Sequence, residues 1–197
     1  MAITKLSVST VKNGLLKSNK IWDQTSTWVD APTNSYFPIA SYTVPSGGVS
    51  SVTFDGIPQT YSYLQVRWLA VTSASASATK FYLNGDTTNA NYYNHFLVGT
   101  GAAVSAGAQA STPYLPDWTS GGATTAPGVA IIDIFDYTST NKYKTLRALS
   151  GYDANGSGYV ALESLLWSST AAVSSLVLTP YSGTWSQYSN ISIYGVN

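Results

Sequence analysis

The sequence predicts an all-β chain that folds as an antiparallel β-sandwich. Three observations predict it: short segments that alternate with period two, turn residues between those segments, and almost no helical periodicity. The clearest alternation lies in Tyr61–Val71, where four apolar residues share one face and Gln65 and Arg67 lie on the other. This is the pattern of a half-buried strand.

Further strand-like segments follow at the short spacing that is typical of a sandwich or barrel, and they raise the expected total to about eight to ten strands. The segment Val129–Tyr137 is nearly all apolar, which predicts a central strand. Asn84-Gly85 and Asn155-Gly156 favour turns because both residues tolerate positive φ. The other predicted strands are Val49–Asp55, Thr79–Leu83, Tyr92–Val98, Tyr143–Tyr152, Tyr159–Trp167, Val173–Thr179 and Asn190–Val196.

Two segments have some helix-forming residues, but glycine interrupts both. Val11–Ile21 contains Gly14 and two asparagines, and Gly101–Ala110 contains two glycines. Since glycine and asparagine are poor helix formers, we expect both segments to be irregular or to form short strands.

One hairpin allows a prediction of register. A three-residue loop at Ser139–Asn141, with Asn141 left-handed, would pair Tyr137 with Tyr143. The same register places two acidic residues opposite basic ones: Asp136 opposite Lys144, and Asp133 opposite Arg147. Opposite charges on facing strands stabilise a register, and a shift by one residue would separate them.

The first 45 residues differ from the rest in pattern. Alternation is poor, lysines are frequent, and three prolines (Pro32, Pro38 and Pro45) punctuate an extended passage. We therefore divide the chain into an extended N-terminal arm, residues 1–45, and a sandwich domain, residues 46–197. Trp22 and Trp28 lie on the arm, and their large rings suggest that it docks either on its own sandwich or on a partner.

Composition limits the function classes. A chain of 197 residues suits one sandwich domain and has no cysteine, so no disulfide framework or thiolate site is expected. Only 9% of the residues are charged, against about a quarter in ordinary soluble domains. The formal net charge of zero offers nothing that attracts nucleic acid or an anionic membrane. No signal peptide or membrane-spanning segment is expected. Few charges resist association poorly, so we expect self-association, the alternative being a monomer coated with hydroxyl groups.

No pattern of residues indicates an enzyme, a cofactor site or a metal site. The one histidine, His95, lies among aromatic residues, which favours a packed or hydrogen-bonded side chain. A nucleophile turn, a phosphate loop and a dinucleotide fingerprint are all missing from the sequence. The segment Asp153–Gly158 begins like a calcium loop, but Ser164 stands at the twelfth position and Glu163 is one residue short. A hairpin turn is the better interpretation.

Fifteen tyrosines and six tryptophans leave one binding hypothesis open. Aromatic rings near hydroxyl and amide groups bind sugars, but tyrosine and tryptophan are also enriched where subunits meet. We favour the subunit interface. The candidates, all in loop-like passages, are Tyr114, Trp118, Tyr181, Trp185 and Tyr188.

Six stretches of residues 45–197 carry a recurrent pattern of strand and turn residues: Ile57–Arg67, Leu83–Asp86 with Asn91-Tyr92, Ile131–Tyr137, Lys144–Arg147, Leu162–Ser164 with Leu166-Trp167, and Ile193–Gly195. In this pattern the chain resembles a family of small jelly-roll structural proteins of tailed bacteriophages. The resemblance implies a jelly-roll-like sandwich, a homotrimer, a place on the capsid or the tail of the virion, and no catalytic residues. Residues 19–23 also resemble the short leader that precedes this domain.

The expected function is therefore that of a non-enzymatic virion protein made in the host cytoplasm. A capsid decoration or cement protein is favoured because the chain lacks heptads and a repetitive shaft. The alternative is a tail fibre or tail-tip adhesin that recognises carbohydrate on the host surface. The expected partners are other copies of the chain and the major capsid protein or a tail protein. The arm residues expected to make the attachment are Lys12, Leu15, Leu16, Ile21, Trp22 and Trp28.

Overall fold

The computed structural model describes residues 20–22, 28–30, 35–74, 77–120 and 126–197. Apart from one short 3-10 turn at Asn89–Asn91, the regular structure of these residues is all β. None of the described residues forms a helix long and apolar enough to cross a lipid bilayer. The strands are β1 (Lys20–Trp22), β2 (Trp28–Asp30), β3 (Tyr36–Thr43), β4 (Val52–Phe54), β5 (Tyr63–Ala70), β6 (Ser77–Leu83), β7 (Tyr92–Gly99), β8 (Val104–Ala110), β9 (Tyr114–Ser120), β10 (Gly128–Phe135), β11 (Lys144–Asp153), β12 (Gly158–Trp167), β13 (Leu176–Pro180) and β14 (Asn190–Val196).

The chain divides into two compact units, Met1–Ser35 and Tyr36–Asn197. In the first unit β1 and β2 form a two-stranded antiparallel ladder in which Trp22 pairs with Trp28. In the second unit β3 pairs with the last strand, β14. Residues Tyr36–Thr43, which the sequence analysis assigned to the arm, are therefore an edge strand of the sandwich. Pro38 is tolerated there because an edge strand has one side without ladder partners.

The second unit is an antiparallel sandwich of two sheets, as the sequence predicted. The larger sheet has eight strands in the order β3-β14-β5-β10-β11-β12-β7-β8, and the smaller has four in the order β4-β13-β6-β9. Eight of these strands follow the jelly-roll order: counted along the chain, one sheet begins 1-8-3-6 and the other reads 2-7-4-5. The other four strands, β7, β8, β11 and β12, extend the larger sheet on one side.

The hydrophobic core lies between the two sheets. Alternate residues of each strand point inward, so that β10 contributes Ala130, Ile132 and Ile134. Near the middle, the Trp68 ring lies 5.9 Å from that of Phe81 and 6.0 Å from that of Trp185, measured between ring centres. All three rings are buried, and rings of this size dominate the burial of apolar surface in a core.

All nine predicted strands are found, with ends that differ by a few residues. Strand β8 falls in the Ala-rich segment that was expected to be irregular or a short strand. Strand β2 of the first unit was not predicted, and two strands of the sandwich were also missed, β3 and β9. Both contain proline and neither alternates clearly, because β3 is an edge strand and β9 joins its neighbour β6 through an irregular register.

The predicted hairpin has the right register and the wrong loop. Asp133 lies opposite Arg147, and the ladder continues to Ile134 and Leu146. The left-handed residue is Asp136 (φ 51°) instead of Asn141. Asp136 forms its ion pair with Lys142, at 3.1 Å, and not with Lys144.

Lys144 is fully buried, because its place in the alternation of β11 turns it toward the core. Its ammonium group donates hydrogen bonds to the carbonyl oxygens of Lys142 and Thr170, at 2.6 and 3.2 Å. Burial lowers the pKa of the Lys144 amine, and the charge of Asp136 partly opposes that shift.

Candidate interaction surface

The outer face of the larger sheet carries a patch of large aliphatic side chains that no other described part of the chain covers. Their exposed fractions run from 47% to 75%. We call this patch the aliphatic face. Its members are Leu69, Leu97, Val104, Val129, Ile131, Leu149, Val160 and Leu162.

The strand register brings these eight residues together in two rows across the sheet. One row runs from Ile131 through Leu149 and Leu162 to Leu97, each directly opposite the next on the neighbouring strand. Since neighbouring strands lie about 4.8 Å apart, the row is continuous over four strands. The other row contains Leu69, Val129, Val160 and Val104.

Glycines interrupt the second row and make the face concave. Gly151 lies between Val129 and Val160, and Gly99 lies between Val160 and Val104. A Cβ atom at Gly151 would overlap the carbonyl oxygen of Tyr159, so the backbone leaves no room for a side chain there. The result is a pocket of about 830 Å³ with a mostly apolar lining.

The floor and rim of the pocket come from different parts of the sheet. Val129, Ile131, Leu149 and Val160 of the aliphatic face line it, together with the turn between β11 and β12. The rings of Tyr152 and Tyr159, whose centres are 5.7 Å apart, stand at that turn. Burial raises the pKa of the Tyr152 phenol, and the neighbouring Tyr159 adds to the shift. Asp153 places an exposed carboxylate at the same turn.

A polar row borders the aliphatic face on its other side. Asp133 accepts hydrogen bonds from the Nη2 of Arg147 at 2.8 Å and the Nε2 of Gln65 at 2.7 Å. Gln65 in turn accepts one from the Nε of Arg67 at 2.5 Å, and the Arg67 guanidinium lies 4.5 Å from the ring centre of Tyr36. The network joins four strands, and its charges largely compensate one another.

His95 lies further along the same polar row, opposite Ser164. Its side chain points outward from β7 and is exposed. The expectation of a packed histidine among aromatic residues is wrong, because the alternation of β7 turns Tyr92 and Asn94 inward and His95 outward. Among the described residues, no group of three or more His, Asp or Glu side chains could hold a metal ion.

The turn Asp153–Gly158 is a hairpin turn between β11 and β12, as predicted. Asn155 and Gly156 both adopt positive φ, 58° and 98°. The Asp153 carboxylate accepts the backbone N–H of Asn155 at 2.8 Å, which closes the turn.

Of the candidate aromatic residues whose side chains the structure describes, only Tyr114 and Tyr181 are brought together. Trp185 is fully buried, and its indole N–H donates to the carbonyl oxygen of Leu178 at 3.3 Å, so its assignment to an exposed loop site is wrong. Tyr114 and Trp118 lie on β9 and not in a loop. Tyr181 and Tyr188 are exposed, at 56% and 79%.

Tyr181 and Tyr114 form one small aromatic cluster. Their ring centres are 5.1 Å apart, edge to face, and the Lys80 ammonium lies 5.1 Å from the Tyr181 ring centre. Tyr188 lies elsewhere, beside Leu69 at a second pocket of about 420 Å³ at the end of the aliphatic face.

Asp86 fixes the loop between β6 and β7 to the end of β12. Its carboxylate accepts hydrogen bonds from the indole N–H of Trp167 at 2.8 Å, the Asn91 amide at 2.7 Å and the Thr88 backbone N–H at 2.9 Å. Partial burial opposes ionisation, but the hydrogen bonds from Trp167, Asn91 and Thr88 outweigh it and hold the pKa of Asp86 at about 2.

The expected attachment residues are only partly within the described chain. Ile21, Trp22 and Trp28 lie on the β1–β2 ladder, with Ile21 opposite Val29. Lys12, Leu15 and Leu16 lie outside the described residues.

A comparison with protein-family models gives no match to this chain. A comparison with curated proteins gives no match either. The resemblance to phage jelly-roll proteins therefore stays a prediction.

Sequence reasoning did not find the aliphatic face. The nearly continuous apolar run of β10 was interpreted as a central strand, which it is, since β5 and β11 flank it. The available signal was that Val129 and Ile131 alternate with the core residues, as do Leu149 on β11 and Leu162 on β12. A strand that is apolar on both faces needs a second covering layer, and the smaller sheet covers only one face.

Proposed function

We propose that this chain is a non-enzymatic structural protein of a tailed-bacteriophage virion, most simply a capsid decoration or cement protein. The observation that supports the proposal is the aliphatic face. Its eight exposed side chains leave roughly 700 Å² of aliphatic surface in water, more than the largest apolar patch of a typical monomer, about 300–600 Å². A chain with such a surface is one component of an assembly.

The fold and the sequence resemblance support the phage assignment together. Jelly rolls are frequent in viral capsid proteins, and this chain has the jelly-roll strand order in its two sheets. Fold alone does not define function, so the phage assignment also depends on the residues of the resemblance quoted above.

We assign the attachment to the shell to the N-terminal unit. It is a compact unit separate from the sandwich, and its ladder carries Trp22 opposite Trp28. Several arms in one oligomer would bind a shell far more tightly than one arm because the contacts are linked. The partner is the major capsid protein, and the location is the surface of the virion head.

Two experiments test this function. Antibodies against the purified chain, viewed by immunogold electron microscopy, should label the heads of the phage that encodes it. Particles from a phage mutant that lacks the chain should bind the full-length protein in cosedimentation, and should not bind protein lacking residues Met1–Asp30. Undiminished binding by the truncated protein would refute the role of the arm.

A point variant separates attachment from folding. The full-length Trp22→Ala/Trp28→Ala protein should keep its oligomeric state and thermal stability while its binding to particles falls at least about tenfold. The matched control is Tyr42→Ala/Tyr143→Ala, which removes two exposed aromatic rings of the sandwich and should bind normally.

The alternative function is that of a tail-fibre or tail-tip adhesin for carbohydrate. The exposed Tyr181 ring favours it, since Tyr114 supports that ring at its edge and Lys80 lies close to it. The test is binding of the chain to a glycan array, repeated with Tyr181→Ala. Gold label on the tail together with glycan binding that Tyr181→Ala abolishes would establish the adhesin instead.

A further inference from the structure

We propose that copies of this chain meet through the aliphatic face, each face covered by the same face of a neighbouring copy. The inference rests on the proposed function and deepens it, because it names the surface that joins the subunits of the assembly. Four observations lead to a second copy as the occupant: the area, the distribution of aliphatic residues, the charge and the shape.

The area matches what a stable subunit contact needs. A specific interface buries about 800 Å² on each partner, and the eight aliphatic side chains alone supply roughly 700 Å².

The distribution of residues favours pairing of like faces. Every Leu, Ile or Val that is exposed among the described residues belongs to the aliphatic face, and the remaining exposed large apolar residues are tyrosines. A head-to-tail contact would press this face onto a polar surface and leave the aliphatic face of the end subunit uncovered. Contact between like faces around a symmetry axis covers all of them.

The charges do not oppose such a contact. No member of the aliphatic face is charged. The charged groups that border it are Asp153, at the β11–β12 turn that lines the pocket, and Arg67 and the Asp133–Arg147 ion pair of the polar row. The Arg67 guanidinium lies over the rings of Tyr36 and Tyr194, at 4.5 and 4.8 Å from their centres. With a formal net charge of zero over the whole chain, two copies approach each other without net repulsion.

The shape of the face suits sheet-on-sheet packing. Two sheets pack about 10 Å apart when the side chains of one fill spaces in the other. The pocket above Gly151 is such a space, and Val104, the most exposed member at 75%, is the protruding side chain that a facing copy can insert. Val104 lies at the end of the same row, opposite Gly99 of the pocket lining, and a twofold axis between the copies makes the insertion reciprocal.

The experiment measures the mass of the purified full-length chain by light scattering over a range of concentrations, without any phage particle. We expect twice the 20.9 kDa of one chain at micromolar concentration, because reciprocal packing of like faces joins two copies. The Ile131→Lys/Leu162→Lys variant should raise the dissociation constant at least about 100-fold, because it buries two ammonium groups beside Leu149. A monomeric wild-type protein at high concentration would overturn the inference.

Two further variants guard against misfolding and non-specific effects. Ile131→Thr/Leu162→Thr adds no charge and places β-branched side chains, which suit strands, at both positions, so it should fold and still weaken the oligomer. Ser51→Lys/Thr53→Lys adds two lysines at exposed positions on the smaller sheet and should leave the mass unchanged. Circular dichroism confirms that each variant is folded before its mass is interpreted.

The outcomes separate the inference from the proposed function. A wild-type oligomer that both face variants leave intact would overturn the inference, whatever the protein binds. A wild-type oligomer that the face variants dissociate supports the inference, and if that oligomer fails to bind particles, the decoration function fails alone.

Discussion

Replacing Asp86 by asparagine tests how much the hydrogen bonds of the Asp86 carboxylate contribute to holding the β6–β7 loop against β12. The carboxylate accepts three hydrogen bonds, two at Oδ2 and one at Oδ1. An asparagine amide can keep the two bonds at one oxygen, from Trp167 and Asn91, but then turns its NH2 group toward the Thr88 N–H. We expect a loss of about 2 kcal/mol in the free energy of unfolding, because two charge-assisted bonds become neutral and one donor loses its acceptor.

Part of this loss depends on pH. The pKa of Asp86 is about 2 in the folded chain, below the ordinary value of 3.8. A carboxylate whose pKa is lowered by folding stabilises the fold above its unfolded pKa, and the contribution disappears as the pH falls from about 4 to 2. The side chain is partly exposed, so solvent screening reduces the pH-dependent part to about 1 kcal/mol.

The assay is urea unfolding followed by tryptophan fluorescence, at pH 7 and at pH 2, with equal protein concentrations because self-association adds to apparent stability. The difference between wild type and Asp86→Asn should fall from about 2 kcal/mol at pH 7 to about 1 kcal/mol at pH 2. Asp55→Asn, at an exposed carboxylate, is the control and should change stability by less than about 0.5 kcal/mol. A difference for Asp86→Asn that is equal at the two pH values would refute the role of its ionised form.

Two more substitutions test the sheet. Asp133→Ala should cost about 2–3 kcal/mol in the free energy of unfolding in urea because it leaves the buried Gln65 amide without its acceptor. The control is Asp136→Asn, which removes the charge of an exposed ion pair but suits the left-handed backbone there, and it should cost under about 1 kcal/mol. Equal costs would contradict this reasoning. Gly195→Ala should lower stability by about 1–3 kcal/mol because the new Cβ would overlap the Tyr61 ring. Most of that cost should vanish in a Tyr61→Ala background, and a cost that stays the same there would show that the ring is not its cause.

The hairpin between β10 and β11 shows how far local pattern reaches. The register follows from pairing Asp133 with Arg147, which are opposite one another and in contact at 2.8 Å. The loop conformation does not follow from that pairing. Asp136 takes the left-handed conformation, and Lys144 is buried. The buried Lys144 ammonium donates one of its hydrogen bonds to the carbonyl oxygen of Thr170, which is distant in sequence.

Trp185 is a residue whose environment the local sequence predicts wrongly. Its surroundings, Tyr181–Tyr188, are rich in serine, glycine and other polar residues, which indicates an exposed loop. In the structure its backbone bridges to Val49 and Thr72, and its ring closes the core beside Trp68. No local pattern contains this information, because Trp68, against which the ring packs, is more than a hundred positions away in the sequence.

Local patterns in the sequence were enough to predict the all-β class, the positions of most strands, the turns at Asn84-Gly85 and Asn155-Gly156, and one register. These features depend on side-chain alternation, glycine and asparagine backbone freedom, and neighbouring charges, all of which are local. Three features needed the folded chain: β3 completes the larger sheet, Trp185 belongs to the core, and the outer side of β10, β11 and β12 stays uncovered. The physical reason is that burial depends on which distant strands lie above a face, and an apolar residue alternates in the same way whether its face meets a second sheet or water.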